Sequence, residues 1–404
     1  MMRFIRPVPT IILFLFGLLV AYNNKISPHF FVVNLLVLIA FIYLDIYIHE
    51  FGHVIAAKLV GIGVNGVIIG NGKELSRKTL FGIPLVITNN FVGGFTIMGS
   101  IERKLLKLRF AFFIAGGVLL QSLLIASCAV LLGTKDWTYL YANGTSVTTM
   151  FVISNLLLIA TNLFPRHINV CGIRMPNDGL RLLKAPFLKE QDIHELLFAD
   201  RIFKANELFA KKEYRAAATA YEKCIEECPS LPILRLNLSV ALLKLFNLEK
   251  AETMLLQLSR EAGIDKVSCL IYNNLAWINL LYYTDEAIEK ADDFSKKAFE
   301  LNSKVNAIIG TRGSVLIALG RFNEGIELLS RITNIRKEID TRTNNATNFI
   351  FLAYGYFMTN KGDEGCKYLN RAESYYVQMD ADEKHFFELI RNRMKADANG
   401  IQQD

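Results

Sequence analysis

Acidic residues are scarce in the first half of this 404-residue chain. Residues 1–189 hold 6 Asp and Glu against 17 Lys and Arg, a net of +11, while the remainder holds 32 acidic and 28 basic residues, a net of −4. The basic excess flanks apolar runs instead of covering a soluble face. That excludes a nucleic-acid-binding surface and matches the loops of a membrane protein. Cysteine is sparse and irregular. Cys128, Cys171, Cys224, Cys228, Cys269 and Cys366 form no framework of close spacings, and Cys224 and Cys228 lie four apart, not as a CxxC pair. Free thiols in a reducing compartment are expected. No small-x-small cleavage site clearly follows the basic, apolar start MMRFIRPVPTIILFLFGLLVAYNNK. That run therefore reads as a retained span and not as a signal peptide.

What is abundant is apolar. Hydrophobic residues make up 52% of the chain and mean hydropathy is +0.29, too apolar for an ordinary soluble protein, and the length suffices for two domains. Four segments, about 7–22, 30–60, 108–133 and 147–165, approach or exceed the ~20 residues that cross ~30 Å of hydrocarbon. Arg3 and Arg6 precede the first, and only Lys25 separates it from the second. A dense basic group from Lys73 to Arg109 lies between the second and third, Lys135 alone between the third and fourth, and Arg166 to Lys189 follow. This alternation places the N-terminus, the middle loop and the C-terminal half in the cytoplasm of a multi-pass cell-membrane protein. The middle loop, residues 61–100, carries β-branched runs at Val64–Ile69, Leu85–Thr88 and Phe91–Ile97 broken by Gly and Asn, which predicts a small sheet at the membrane surface.

Beyond about residue 190 the apolar period becomes helical. KANELFAKKEYRAAATAYEKCIEECP (204–229) places Ala217, Tyr221, Cys224 and Pro229 at the spacing of a 34-residue helix-turn-helix repeat. Ala251 follows after 34 residues, Ala291 after 40 and Gly325 after 34, and residues 353–373 offer a degenerate fifth unit. Over roughly residues 198–380 the chain resembles the tetratricopeptide-repeat (TPR) family. Such units bury their apolar faces only by stacking, and the concave side of the stack commonly binds a peptide or protein.

The most informative stretch is DIYIHEFGHVIAAKLVG (45–61), which sets His49, Glu50, His53 and Asp45 in an otherwise apolar span. Ionisable groups at such depth cost roughly 2.5–3.5 kcal/mol each on insertion scales and mark function. His49 and His53 lie one helical turn apart on one face, so both imidazoles can reach one metal ion. Glu50 points about 100° away, where it addresses a water on that metal without ligating it. A third protein ligand completes a catalytic zinc set. The fourth span runs in the same direction as the second and ends in NLFPRHINVCGIRMPNDGLRLLK (162–184), where Asn162 and Pro165 break the helix and Asp178 is the best-placed carboxylate.

With these residues the chain resembles the site-2 protease family of intramembrane zinc metalloproteases. The resemblance rests on His49-Glu50-Phe51-Gly52-His53 with Ala56 and Gly61, on the Gly-rich loop, on AGGVLLQS (115–122), and on Asn162-Leu163-Phe164-Pro165 with Asp178-Gly179. It implies that His49, His53 and Asp178 hold Zn²⁺ and that Glu50 is the general base. The reaction implied is peptide-bond hydrolysis in or near a substrate's membrane segment, such as a transcription regulator's anchor or a leftover signal peptide. The sheet would guide the substrate strand by edge pairing. Two departures from the family pattern stand out. Twelve residues separate Pro165 from Asp178, and His167 and Cys171 inside that insertion are alternative ligands. Gln121 or Ser122 stands where asparagine is more usual. Asp45, one turn before His49, is a candidate partner for that ring's second nitrogen.

The expected architecture is all-α dominated. A multi-pass helical membrane domain with a small β-rich loop (1–189) precedes a soluble, cytoplasmic TPR-like α-solenoid (190–404). The expected partners are a membrane-protein or membrane-peptide substrate, a protein or peptide at the repeats, and the lipid bilayer, with no nucleic acid. The competing expectation is a catalytically inert, membrane-anchored TPR adaptor.

Overall fold

A computed structural model describes residues 23, 25–72, 74–90, 93–170, 173–229, 231–261, 264, 267–333 and 345–400. The expected first span and Cys171 lie outside these. The chain divides into two compact units, 1–200 and 201–404.

Three apolar helices frame the first unit: α1 (Pro28–Leu59), α2 (Leu106–Leu132) and α3 (Val147–Leu163). Among the described residues α1 and α2 are long and apolar enough to cross a membrane, whereas α3, with 17 residues, is a shorter apolar helix. Of the three expected spans that fall within the described residues, two thus meet the length. The burial pattern of α1 is the reverse of a soluble helix. Asn34, Asp45, His49, Glu50 and His53 are buried, while Val32, Leu36, Ile39, Tyr43, Leu44 and Ile55 are exposed. Polar-in, apolar-out order is what a lipid-facing helix requires, because its polar groups find partners only inside the bundle.

Small residues bring α1 and α2 together. A Cβ on Gly52 would lie 2.5 Å from the Gly116 carbonyl oxygen, and one on Gly116 would lie 2.5 Å from that of Gly52. Only glycine permits this backbone contact. Arg109 on α2 closes the C-terminal end of α1, donating from Nε to the Val60 carbonyl at 2.6 Å and from Nη2 to that of Gly61 at 2.7 Å.

Between α1 and α2 lies a four-stranded sheet of order β2-β3-β1-β4: β1 (Val64–Ile69), β2 (Glu74–Leu80), β3 (Ile83–Thr88) and β4 (Gly94–Met98). β1 pairs parallel with β3 and antiparallel with β4. Phe81 and Gly82, with φ of 51° and 79°, form the two-residue turn from β2 to β3, both in the left-handed region that a twisted hairpin demands. After α3 the insertion folds as a hairpin, β5 (His167–Val170) against β6 (Ile173–Pro176), and leads into α4 (Asp178–Lys184). α5 (Glu190–Leu197) completes the unit.

The second unit is a run of helical hairpins: α6 (Ala199–Ala210) with α7 (Tyr214–Glu227), α8 (Pro232–Lys244) with α9 (Leu248–Leu258), α10 (Ser268–Tyr282) with α11 (Asp285–Leu301), α12 (Asn306–Ala318) with α13 (Phe322–Ile332), and α14 (Asn345–Met358) with α15 (Gly362–Glu373). A further helix, α16 (Ala381–Gly400), follows. The repeat positions Ala217, Ala251, Ala291 and Gly325 are all buried on second helices, and Gly365 continues the series on α15. Each first helix ends near one left-handed residue: Lys212, Phe246, Tyr283, Gly320 or Asn360. That conformation stops a helix and turns the chain back. The architecture is TPR-like, as the 34-residue period predicts.

Candidate metal centre

Two elements that are remote in sequence converge on one point. α1 contributes His49, Glu50 and His53, and the first residue of α4 is Asp178. His49 Nε2 lies 3.0 Å from Asp178 Oδ2, His53 Nε2 lies 3.2 Å from the same oxygen, and the two Nε2 atoms are 3.2 Å apart.

The far side of each ring fixes its tautomer. His53 Nδ1 is 2.9 Å from the Phe113 carbonyl oxygen, which can only accept, and His49 Nδ1 is 2.9 Å from Gln121 Oε1, which likewise accepts. Both rings therefore carry their proton on Nδ1 and turn a bare Nε2 lone pair inwards when neutral. Two imine nitrogens and a carboxylate oxygen then face one another with no proton between them, an arrangement that repels unless a cation sits among them. Ligand atoms about 2.0–2.1 Å from a tetrahedral ion lie roughly 3.3 Å apart, close to the edges of this triangle. The donor set fits Zn²⁺. Among the described residues these three form the one group of His, Cys, Asp or Glu placed to share an ion.

Glycines clear space for His49 and Glu50. A Cβ on Gly117 would lie 2.5–2.6 Å from atoms of the His49 ring, and one on Gly94 would lie 2.5 Å from Glu50 Cγ. Gly94 and Thr96, two apart on β4, share a face. The Thr96 hydroxyl lies 2.7 Å from Glu50 Oε2, donates to it and orients the buried carboxylate. Arg181, one turn after Asp178, has its guanidinium Nη1 3.8 Å from Asp178 Oδ1 and its carbon 5.5–5.9 Å from the Phe95, Phe110 and Phe113 ring centres. It ties β4, α2 and α4 around the centre.

Asn177 places Asp178. Its Oδ1 accepts from the backbone N–H of Leu180 at 3.1 Å and of Arg166 at 3.0 Å. Its Nδ2 donates to the carbonyls of Phe164 at 2.8 Å and Asn162 at 2.9 Å, with that of Thr161 at 3.3 Å. One buried side chain thus knots the end of α3 to the start of α4, which is how the carboxylate returns to the site after twelve intervening residues. Nothing in the sequence distinguished Asn177 from an ordinary turn residue except its place before Asp-Gly.

The structure corrects two expectations. Asp45 does not support His49; its Oδ1 accepts from Asn155 Nδ2 at 3.2 Å, while Gln121 takes the position beside the ring. His167 is exposed on β5 and lies outside the ligand group. Cys171 lies outside the described residues.

A cavity of about 440 Å³ opens onto Glu50, both histidines and Asp178. β4 forms one wall, through Gly94 to Thr96, and Ile168 and Pro176 of the β5–β6 hairpin form another. Among the described residues no strand pairs with the outer edge of β4.

Comparison with known proteins adds to this geometry. Three solved proteins resemble the chain: YrrB, a TPR protein described with an unusual peptide-binding site (18% identity over 43% of this chain and 83% of that one, TM-score 0.30); a thermophilic TPR protein of Thermus thermophilus (20%, 49% and 96%, TM-score 0.36); and PilF of Pseudomonas aeruginosa (13%, 54% and 88%, TM-score 0.36). Among curated proteins none matches. The sequence model of peptidase family M50 matches residues 37–359, from the middle of α1 to the end of α14, well over half of the chain. The chain belongs to peptidase family M50, the family of the site-2 proteases.

Proposed function

We propose that this protein is a zinc metalloendopeptidase of the cell membrane. It cuts peptide bonds in or near transmembrane segments of membrane-anchored substrates, and its repeat unit docks a substrate or regulator. The convergence of two outward-pinned imidazoles and a returning carboxylate on one point carries the reading. A set of inward lone pairs has no structural use without a cation.

In this reading His49, His53 and Asp178 hold Zn²⁺, with Gln121 and the Phe113 carbonyl keeping the imidazoles in register. The ion supplies Lewis acidity that polarises the scissile carbonyl and makes water a better nucleophile near neutral pH. Glu50 takes a proton from the attacking water and delivers it to the departing amine. Thr96 holds Glu50 in place for both transfers. The free edge of β4 binds the substrate in extended form, which exposes an amide that a transmembrane helix would hide. The membrane assignment draws on the apolar outer faces of α1 and α2 and on the charge alternation, which puts both the N-terminus and the repeat unit in the cytoplasm.

The test is zinc content together with cleavage of a model single-span substrate, comparing the natural chain with Glu50→Gln. Retained zinc with cleavage reduced at least ~10³-fold supports a base acting on metal-activated water. Equal cleavage by both would remove the hydrolase reading, and absence of both zinc and cleavage from the natural chain would favour the inert adaptor.

A further inference from the structure

The last helix does not simply extend the stack. α16 packs on α8, α10 and α14, the first helices of three hairpins, so it lies along the face that repeat arrays present to ligands. It holds that face as a bound helix would. Asp382, Phe386, Phe387 and Ile390 follow i, i+4, i+5, i+8 spacing on one side of α16, and all four are 2% exposed or less.

Each contact is specific. The Phe386 ring stands edge-on to Trp277 of α10 at 4.6 Å and to Phe351 of α14 at 5.6 Å. His385 Nε2 meets the Leu281 carbonyl oxygen at 3.1 Å. Asp382, fully buried, accepts from Lys244 Nζ at 2.9 Å with both carboxylate oxygens and from Trp277 Nε1 at 3.2 Å. Lys212 Nζ pairs with Asp380 at 2.8 Å just outside. The array supplies the cations and the aromatic walls; α16 and the residue just before it supply the carboxylates and the anchors.

We infer that the face built by α8, α10 and α14 is a groove for an amphipathic helix carrying a leading carboxylate and Phe, Phe and Ile anchors at the spacing of α16. The chain's own α16 fills it in cis. A partner helix of that chemistry gains the groove only by displacing α16. The buried Lys244 sets the specificity, because an incoming helix without a carboxylate at the Asp382 position leaves that ammonium only its longer contact with Asp380, at 3.4 Å. The inference goes beyond the hydrolytic reading and does not depend on it.

The test uses the full chain, a variant ending at residue 378, and a fluorescent peptide with the sequence of residues 379–396. The shortened chain should bind the peptide one to one, and the full chain at least about tenfold more weakly, because its groove is taken. Peptides bearing Asp382→Ala or Phe386→Ala should bind roughly a hundredfold more weakly than the natural peptide. In the intact chain, hydrogen exchange should release the amides of α16 at least about tenfold faster than those of α14. A shortened chain that keeps its helical circular dichroism and binds no peptide overturns the inference. So does loss of helicity beyond that of α16 itself on shortening, or exchange of α16 and α14 at one common rate, since either makes α16 a fixed strut. A full-length dimer that trades α16 between copies would overturn the cis assignment. None of these readouts involves zinc or cleavage, so failure here leaves the hydrolytic reading standing.

Discussion

Replacing Asn177 should empty the metal centre without touching a ligand. The side chain accepts from two backbone N–H groups and donates to at least two carbonyls, all within 2.8–3.1 Å. It is 3% exposed, so lost partners are not simply exchanged for water. Buried hydrogen bonds contribute about 1 kcal/mol each, and Ala at a helix N-cap costs a further ~1 kcal/mol in typical cases. Asn177→Ala should therefore loosen the start of α4 by about 3–4 kcal/mol, and because Asp178 ligates only when that start is seated, zinc affinity should fall at least ~10²-fold. Asn177→Asp sharpens the argument. The carboxylate still accepts from Leu180 and Arg166, but it cannot donate and now faces three carbonyl oxygens. It should fare no better than Ala despite being nearly isosteric, while Asn177→Ser, which preserves only the cap, should lie between. Zinc retained by the purified chain after dialysis against a graded series of chelators reads the affinity directly. Natural affinity in both the Ala and Asp variants would refute the idea that this knot positions the third ligand.

Two glycine substitutions should separate the metal from the base. Gly117→Ala drives a methyl into the His49 ring and should lower zinc occupancy, whereas Gly94→Ala pushes on Glu50 and should leave zinc bound while cleavage falls by about 10²-fold or more, read by metal analysis beside a cleavage assay. In the repeat unit, the Asp380 carboxyl is held below its usual range: burial pushes it up, but Lys212, Lys244 and Tyr214 outweigh that. Its depressed value means the folded state binds fewer protons, so its contribution is present above about pH 4 and is lost on further acidification. The urea midpoint of the repeat unit should drop across that range, and Asp380→Asn should flatten the drop; an unchanged profile in that variant would remove Asp380 from the account.

The parts legible from the sequence were those in which one periodicity governs neighbouring residues. His49 and His53 could be paired because four residues make one turn, and Ala217 to Gly325 could be aligned because stacking repeats the same buried contact every hairpin. Asp178 could be nominated because α1 and α3 share a direction. Partners chosen by tertiary packing were not legible. Asp45 and Gln121 are both polar groups near His49 by some measure, and only the crossing of α1 with α2 decides that Gln121 is the neighbour. β2 escaped notice because ELSRKTL is polar and largely exposed, a strand held by pairing and not by burial. The placement of α16 was hidden for a similar reason, since a repeat period says nothing about a helix that follows the last repeat.

The glycine contact between α1 and α2 has a mechanical consequence. With backbones touching at Gly52 and Gly116, those helices behave as one stiff wall, and that wall carries both imidazoles and the glutamate. Asp178 rides on a different piece of chain, tethered through Asn177 and bordered by the β5–β6 hairpin. The three residues placed to share an ion thus sit on two separately held pieces of chain, so the group is complete only when both pieces are seated.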